Sequence, residues 1–253
     1  MSYASFARFY DTLTENIDYN ARANYFDELI RRHTGAGFVR EENPAILLDL
    51  ACGTGSLSLE MANLGYDVIG VDASADMLSV AMNKAAEREK NILFLRQPME
   101  KLDLFGTVDV CICALDSLNH LPSHAALCKV LDRIALFVGH GGLFIFDVNT
   151  QYKHRQILAD NTFIYDTPTV YCVWQNSLRD NDNIEITLDF FEHQKNGSYA
   201  RHSEQFTEIL LPPEMLEREL LSRGFNIQSI YGDDSFNPPR EDTQRLIYIT
   251  IKE

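Results

Sequence analysis

Residues 45–55, with the sequence AILLDLACGTG, decide the fold, because a short apolar run is followed at once by a glycine-rich turn. Uninterrupted apolar runs of this kind are typical of strands that are buried on both faces of a parallel sheet. Gly53 and Gly55 permit a tight turn from strand to helix, and their missing Cβ atoms let a ligand approach the backbone. The segment therefore predicts the first strand of an α/β domain, with a ligand-binding turn at its end.

Beyond this turn the chain alternates between helical and strand-like patterns as far as about residue 150. Helices are predicted over residues 56–64, 74–88 and 125–138, and strands over residues 67–72, 92–96, 108–114 and 142–148. Two further helices are predicted within the first forty residues, the second over residues 19–32. Such alternation specifies an α/β fold, with a doubly wound, mostly parallel sheet and right-handed crossovers.

Residues 151–211 interrupt this alternation, because they are rich in the β-branched and aromatic residues that strands favour. Turn-forming residues at 180–183 and 196–197 predict three or four antiparallel strands, over about residues 163–175, 184–192 and 199–210. A helix up to residue 223 follows. Two last strands, at residues 226–231 and 245–252, complete a seven-stranded sheet.

These segments predict two structural units. Residues 1–150 and 212–253 form a ligand-binding domain, in which the helices of residues 1–40 cover the site. Residues 151–211 form an antiparallel β insertion. Open α/β sheets bind ligands at the carboxyl ends of their strands, so we expect the insertion to lie there as a lid.

The charge balance disfavours several kinds of partner. The chain of 253 residues carries 22 basic and 37 acidic side chains, which gives a formal charge of −15. Phosphate backbones are bound by Lys and Arg, so we expect neither nucleic acid nor anionic lipid as a partner. No uncharged apolar run approaches the roughly 20 residues that cross a bilayer, and the first residues lack a signal-peptide pattern. We therefore expect a cytoplasmic protein with no membrane segment, either a monomer or a homodimer.

The cysteines predict neither a disulfide framework nor a metal site. Their number is five, and no Cys-x-x-Cys motif occurs. Cys111 and Cys113 alternate within an apolar run, so we expect both to be buried thiols on one face of a strand.

Two carboxylates mark the ends of the first two strands. Asp72 ends the second predicted strand, 17 residues after Gly55, where an acidic side chain accepts both hydroxyls of a ribose. A dinucleotide site would need a third glycine in residues 56–58, which read Ser-Leu-Ser. Asp49 precedes the turn, where a carboxylate suits an ammonium group better than a diphosphate. The pattern therefore favours a cofactor such as S-adenosylmethionine (SAM) over a nicotinamide dinucleotide.

At these residues the sequence resembles the class I SAM-dependent methyltransferases. The first motif of that family, an acidic residue followed by a glycine-rich turn, is matched by residues 49–55, with Ala51 where a glycine is common. Residues 72–78 resemble its second segment, and residues 108–121 resemble its fourth strand and the loop that borders the sulfonium. Residues 6–11 also resemble the bacterial YqeM-like small-molecule subgroup.

The resemblance implies a Rossmann-like methyltransferase fold, the cofactor S-adenosyl-L-methionine and a set of site residues. The cofactor-binding positions that it implies are Asp49, Ala51, Gly53, Gly55, Asp72, Ala73, Met77, Gln97, Met99 and Leu115. Within this set, the resemblance implies that Asp72 binds the ribose and that the side chain of Met77 packs on adenine. The candidates around the transferred methyl group are Asp116, His120 and Tyr10, the last of which covers the cofactor in the YqeM-like subgroup.

One position departs from the family pattern. Pro98 stands where the family usually places an Asp that accepts a hydrogen bond from the adenine amino group. Proline has no side-chain acceptor. Either Gln97 or a backbone carbonyl replaces that Asp, or the selectivity for adenine is weaker in this chain.

The resemblance implies methyl transfer to a small-molecule acceptor by in-line displacement. A general base is needed only if the acceptor must lose a proton before or during attack. The identity of the acceptor and the atom that receives the methyl group stay open. The alternative is a protein that binds SAM or its demethylated product without methyl turnover.

Overall fold

The computed structural model describes residues 4–34 and 43–253. The parts of the predicted N-terminal helices at residues 1–3 and 35–40 lie outside the described residues. Of the helices, α1 and α2 precede the sheet, α3 to α5 follow its strands, and α6 comes after the insertion. Their bounds are Ala4–Leu13, Tyr19–Thr34, Ser56–Asn63, Ala75–Glu87, His124–Phe137 and Pro213–Leu221.

Strands β1 to β5 alternate with these helices, β6 to β9 form the insertion, and β10 and β11 close the chain. Their bounds are Ile46–Leu50, Asp67–Asp72, Leu93–Arg96, Val108–Cys113, Val138–Asn149, Thr162–Asp166, Val170–Leu178, Ile184–His193, Tyr199–Glu208, Phe225–Gly232 and Arg245–Lys252. Short helical turns occupy Met99–Lys101, Ser117–His120 and Asp180–Asp182, and a π-helix occupies Lys153–Leu158.

Seven strands form the main sheet, in the order β10-β11-β5-β4-β1-β2-β3. Strands β1 to β5 pair in parallel with one another, whereas β11 pairs antiparallel with both β5 and β10. The order reverses between β1 and β4, which makes the carboxyl ends of these two strands the point where doubly wound sheets bind ligands. The predicted seven-stranded, mostly parallel fold is confirmed.

Successive residues of the central strands pack on opposite faces of the sheet. Leu47 belongs to the cluster under α2 and α3, and Leu48 belongs to the cluster under α5 and α6. Cys111 and Cys113 are both fully buried in the second of these clusters, so the prediction of core thiols on one face is confirmed. Replacing a leucine as deeply buried as Leu48 by alanine typically costs about 2–5 kcal/mol of stability.

Strand β5 begins earlier than the sequence predicts. The predicted start at residue 142 is wrong, because the strand begins at Val138, directly after α5. Its pairing with β4 shifts register after Val138, and Gly141 takes a φ of 77°. Glycine tolerates that left-handed backbone without strain, so a glycine-rich stretch that looks like a loop in the sequence stays in the strand.

The insertion forms a second sheet of four antiparallel strands, in the order β6-β7-β8-β9. The single strand predicted over residues 163–175 is two strands, because the chain turns between Asp166 and Val170. Thr167 stabilises this turn, since its backbone N–H and its hydroxyl both donate to the carbonyl of Val170. Pro168, at the tip, cannot donate to a strand ladder.

The second sheet is attached at the carboxyl end of β4. The ring of Phe9 in α1 stacks on Phe190 of β8 at 5.3 Å, and Arg8 forms an ion pair of 2.6 Å with Glu192. The backbone N–H of Ile209 donates to the carbonyl of Asn119 in the loop after β4, at 2.7 Å. Helix α1 and this loop thus hold the insertion next to the ligand-binding edge of the main sheet.

No helix in the described ranges combines the length and apolarity that a membrane crossing requires.

Candidate functional site

A cavity of about 380 Å³ opens at the carboxyl ends of β1, β2 and β4. Ten of the thirteen residues predicted for the site line it, namely Tyr10, Ala51, Gly53, Asp72, Ala73, Met77, Gln97, Met99, Leu115 and His120. A smaller compartment of about 40 Å³ adjoins it and is lined by Asp49. Tyr10, Ala51, Gly53 and Leu115 border both spaces. Gly55 and Asp116 are not among the residues that line either space.

The turn after β1 adopts a left-handed backbone at three positions. The φ angles are 62° at Ala51, 54° at Gly53 and 72° at Gly55. For alanine this conformation costs about 1–2 kcal/mol, which explains why a glycine is common in the family where this chain has Ala51. The turn thus keeps a strained residue on the wall of both spaces.

The two glycines of the turn have different surroundings. A Cβ atom on Gly53 would have no neighbour within 4 Å in the described part of the chain, whereas one on Gly55 would lie 2.8 Å from the Cβ of Ala81 in α4. Gly53 lines the cavity and Gly55 does not. Gly55 therefore permits α3 to pack closely against α4, and Gly53 leaves space for a ligand.

Asp72 is fixed at the end of β2 by backbone donors. Its Oδ2 accepts the N–H of Gly53 at 2.9 Å, and its Oδ1 accepts the N–H of Ser74 at 2.8 Å. Burial raises the pKa of this carboxyl, against the effect of the backbone hydrogen bonds. An ionised carboxylate has about four lone-pair positions, so Asp72 can accept two further hydrogen bonds from ribose hydroxyls.

Asp49 is buried below the smaller compartment. It is only 2% exposed and accepts a hydrogen bond of 2.5 Å from the hydroxyl of Ser58. Burial raises its pKa to about 6, and the nearby charge of Asp72 adds to the increase. A carboxylate whose charge is penalised by burial gains strongly from a cation, so this compartment fits an ammonium group.

The edge where adenine is expected is mostly apolar. Met77, Pro98 and Met99 line it, and Ser74 caps α4 by accepting the N–H of Met77. The amide of Gln97 is engaged at both ends, since its Nε2 donates to the carbonyl of Asp103 at 3.0 Å and its Oε1 accepts the N–H of Asp103 at 2.7 Å. Both ends of the Gln97 amide are thus engaged with Asp103, while Oε1 keeps a second lone pair for a further donor.

The loop after β4 is held by a carboxylate from the neighbouring strand. Leu115 and Asp116 have φ angles of 58° and 51°. Their N–H groups donate to the two oxygens of Asp147 at 3.0 and 2.5 Å. Successive backbone N–H groups in a turn can form a concave array that suits an anion, so the hydrogen bonds to the buried Asp147 offset the strain of this loop.

Arg245 connects Asp147 with Asp116. Its Nη1 donates to Asp147 at 2.8 Å, and its Nη2 donates to Asp116 Oδ1 at 2.5 Å. Burial alone would raise the pKa of Asp116, but Arg245, with help from Lys153 and His120, outweighs burial and lowers it. Asp116 is therefore an ionised group next to the cavity, and its side chain is partly exposed.

His120 and Tyr10 face the cavity directly. His120 Nε2 lies 3.9 Å from Asp116 Oδ2 and 4.0 Å from Glu208 Oε1, and its ring packs on Phe206 at 5.1 Å. Burial raises the pKa of Tyr10 well above its ordinary value, with Tyr19 contributing. The phenol of Tyr10 therefore stays protonated at neutral pH, whereas His120 is placed between two carboxylates.

Sequence reasoning missed the residues that support His120 and Asp116. Asp147 and Arg245 fix the loop after β4, and Glu208 reaches His120 from the insertion. Asp147 carried a signal, because a charged residue within the apolar strand of residues 143–148 must find a buried partner. Glu208 carried none, since it stands among several acidic residues in the predicted strands.

The cavity has the size of small-ligand sites, about 300–1,000 Å³. The half-buried Asp72 on its wall and the buried Asp49 in the adjoining compartment suit a ligand with a ribose and an ammonium group. Residues 47–142 match the family described as a methyltransferase domain. A protein of Geobacillus sp. (strain WCH70), named "Putative methyltransferase", is 30% identical over 253 residues and matches all of both chains. "Putative methyltransferase YqeM" of Bacillus subtilis (strain 168) is 28% identical over 250 residues, covering 98% of this chain and 96% of that protein.

A solved structure agrees with these relatives. The SAM-dependent methyltransferase from Clostridium acetobutylicum ATCC 824 superposes with a TM-score of 0.86, at 28% identity and with 99% of this chain and 98% of that chain covered. Sequence and fold therefore match over the full length of both proteins. The chain belongs to the S-adenosylmethionine-dependent methyltransferases, and its cofactor is S-adenosylmethionine.

Proposed function

We propose that this enzyme transfers a methyl group to a small-molecule acceptor by in-line displacement. The acidic charge of −15 supports an acceptor other than nucleic acid. Two more distant relatives support a small acceptor by their names. The dTDP-3-amino-3,6-dideoxy-alpha-D-glucopyranose N,N-dimethyltransferase of Streptomyces fradiae is 26% identical over 221 residues. The glycine/sarcosine N-methyltransferase of Aphanothece halophytica is 24% identical over 238 residues.

One observation carries the proposal, namely a carboxylate in each of two adjoining spaces, with Asp72 half-buried and Asp49 buried. Asp72 lines the large cavity and Asp49 lines the small compartment, while Ala51 and Gly53 form the wall that both share. In our proposal Asp72 accepts the ribose hydroxyls and Asp49 binds the ammonium group of the methionine end. The side chains of Met77 and Met99 then pack on adenine.

The cofactor, when bound, supplies an electrophilic methyl group on a sulfonium. The chain's own residues position it and exclude water. Tyr10 borders both spaces, and α1, which carries it, packs on the insertion. Orientation of two reactants can lower a barrier by about 7–11 kcal/mol. Accordingly we propose that the insertion of residues 151–211 acts as a lid, and that His120 and Tyr10 surround the acceptor, with Asp116 orienting His120.

The test is methyl turnover against a broad library of metabolites. The full chain is incubated with SAM, and release of S-adenosylhomocysteine is measured for each library member. We expect release with at least one small molecule, and its loss in Asp72→Ala. In Asp76→Ala, which removes an exposed carboxylate from the first turn of α4, turnover should be retained.

Two outcomes would contradict the proposal. Tight cofactor binding without turnover of any library member would favour a protein that holds the cofactor without transfer. Turnover on RNA that declines steeply with salt would show a nucleic-acid acceptor.

A further inference from the structure

A buried carboxylate beside the cavity lacks a cationic partner at hydrogen-bonding distance among the residues that the structure describes. Glu208, at the end of β9, is 3% exposed. Its Oε2 accepts a hydrogen bond of 2.9 Å from Asn149, whereas its Oε1 accepts none from the residues that the structure describes. Among those residues its nearest basic groups are His120 and His154, at 4.0 and 3.9 Å. Because a buried charge is costly unless it is paired, a cation at Oε1 would be strongly favoured.

Three polar atoms face one another around this oxygen, and we call them the acidic triangle. They are Glu208 Oε1, Asp116 Oδ2 and His120 Nε2, and their side chains can place ligand atoms within 4.8 Å of one another. His120 Nε2 is 4.0 Å from Glu208 Oε1 and 3.9 Å from Asp116 Oδ2, both too long for a direct hydrogen bond. One nitrogen atom between them can lie about 2.8–3.0 Å from all three.

The spacing suits a hydrogen-bonded ammonium group better than a metal ion. His120 Nε2 is 3.9 Å from Asp116 Oδ2 and 4.0 Å from Glu208 Oε1. An atom at equal distance from these three atoms can therefore be no closer than about 2.0 Å to each of them, and metal–ligand bonds of about 2.0–2.2 Å lie at that lower bound. Arg245 already holds the other oxygen of Asp116 and would repel a divalent ion. An ammonium group carries one charge and offers three N–H donors or more to three acceptors.

The far side of Glu208 is closed, which leaves Oε1 as the oxygen that faces the cavity wall. His154 is fully buried, and its Nδ1 lies 2.7 Å from the carbonyl of Asp182, so Nδ1 donates there. Its Nε2 lies 3.9 Å from Glu208 Oε2 and has no hydrogen-bond partner in the described part of the chain. Asn149 therefore fixes Oε2, and Oε1 is the oxygen on the His120 side, 4.0 Å from His120 Nε2.

We propose that the methyl acceptor is an amine whose nitrogen binds in the acidic triangle as an ammonium group. The inference rests on the proposed methyl transfer and names its substrate class. His120 belongs both to the triangle and to the wall of the cofactor cavity, so a nitrogen held there lies beside the cofactor. One N–H bond of the ammonium breaks, the proton passes to His120 Nε2, and the electron pair stays on nitrogen. The neutral amine then turns this pair toward the methyl group, the N–C bond forms as the S–C bond breaks, and the S–C electron pair leaves with sulfur in S-adenosylhomocysteine. The carboxylates of Asp116 and Glu208 stabilise the imidazolium that forms.

The test uses methylammonium chloride as the probe and the full chain loaded with S-adenosylhomocysteine, so that no transfer occurs. Side-chain ¹⁵N signals of histidine, assigned with His120→Gln, report on the triangle. We expect a saturable shift of the His120 signal by methylammonium and none by methanol. A Kd in the millimolar range or weaker is expected, because a ligand of two non-hydrogen atoms gains little binding energy.

Two variants with the same chemical change separate the triangle from the rest of β9. Glu208→Gln keeps the shape and removes the charge, so the affinity for methylammonium should fall at least about tenfold. Glu204→Gln, on the same strand and outside the triangle, should leave the affinity unchanged. Circular dichroism checks that both variants are folded, and the comparison with methanol needs no variant.

Several results would overturn the amine assignment. These are no saturable shift in the wild-type chain, an equal shift with methanol, an affinity unaffected by Glu208→Gln, or a tighter response to Mg²⁺ or Zn²⁺. Methylation of an alcohol or thiol by the same protein would overturn the amine acceptor while the proposed function stands. Failure of the protein to bind the cofactor would overturn the proposed function itself.

Discussion

At the scale of single residues, Asp49 shows how a binding site is built at the expense of stability. Its burial raises its pKa from an ordinary value of 3.8 to about 6. An acid whose pKa is raised by folding binds extra protons in the native state, so stability declines as pH rises between these two values. Above pH 6, this pKa shift lowers the free energy of unfolding by up to about 3 kcal/mol. A bound ammonium group would recover much of this free energy.

The first prediction concerns the pH dependence of cofactor binding. Binding of an ammonium group needs the ionised form of Asp49. The α-amino group of the cofactor has a pKa of about 8 and therefore stays protonated below pH 7. Cofactor affinity should therefore be constant from pH 7 to about 6 and fall by up to about tenfold per pH unit below that. Calorimetry at a series of pH values measures this.

Asp49→Asn provides the control for that profile. The variant should bind weakly at every pH and lose the dependence between pH 5 and 6, because the amide does not titrate. An Asp49→Asn profile parallel to that of the wild type would refute the role of this carboxyl.

At the scale of elements, the turn between β1 and α3 separates a packing function from a binding function. A Cβ atom on Gly55 would be 2.8 Å from Ala81 and 3.2 Å from the ring of Phe94, whereas one on Gly53 would meet none of the described residues within 4 Å. Both glycines have positive φ, so each alanine substitution adds about 1–2 kcal/mol of backbone strain. Only the substitution at Gly55 adds steric overlap with α4.

The second prediction follows from this contrast. Gly55→Ala should lose about 2–5 kcal/mol of stability, which is strain plus about 1–3 kcal/mol of overpacking. Gly53→Ala should lose only the strain and should weaken cofactor binding in the protein that remains folded. Urea unfolding and calorimetry give the two quantities. Equal destabilisation by the two substitutions would show that overlap with α4 does not matter.

The sequence predicted the elements whose signals are local. The strand at residues 46–50, its turn and the carboxylates Asp49 and Asp72 lie within short stretches, so periodicity and spacing suffice to place them. The support of the loop after β4 is not local. Arg245 is 98 residues from Asp147 and 129 from Asp116, and only the pairing of β11 with β5 brings them together.

At the scale of the whole molecule, the first helix connects the cofactor site with the insertion. Tyr10 lines both spaces of the site, and the preceding residue, Phe9, packs into the apolar cluster of the second sheet. On the other side, Ile209 pairs with Asn119 in the loop after β4. A ligand that restricts the motion of Tyr10 should therefore also restrict the motion of β8 and β9.

The third prediction is that cofactor binding slows hydrogen exchange beyond the binding turn. Amides of Ala4–Leu13 and Tyr199–Glu208 should exchange more slowly with SAM bound, because opening of these segments would expose the ligand. Strand Thr162–Asp166, at the far edge of the second sheet, serves as the internal control and should be unaffected. Protection confined to residues 49–77 would show that the insertion is not coupled to the site.

The most direct test of the account is a calorimetric titration of SAM into the wild-type chain, Asp72→Ala and Asp76→Ala. Asp72 accepts two backbone hydrogen bonds at the cavity wall, and Asp76 is an exposed carboxylate four residues away. Loss of two charge-assisted hydrogen bonds should weaken binding by about 3 kcal/mol or more, which is at least about a hundredfold. We predict that weakening in Asp72→Ala and wild-type affinity in Asp76→Ala. Equal affinity of all three proteins, or no binding by the folded wild type, would contradict the account.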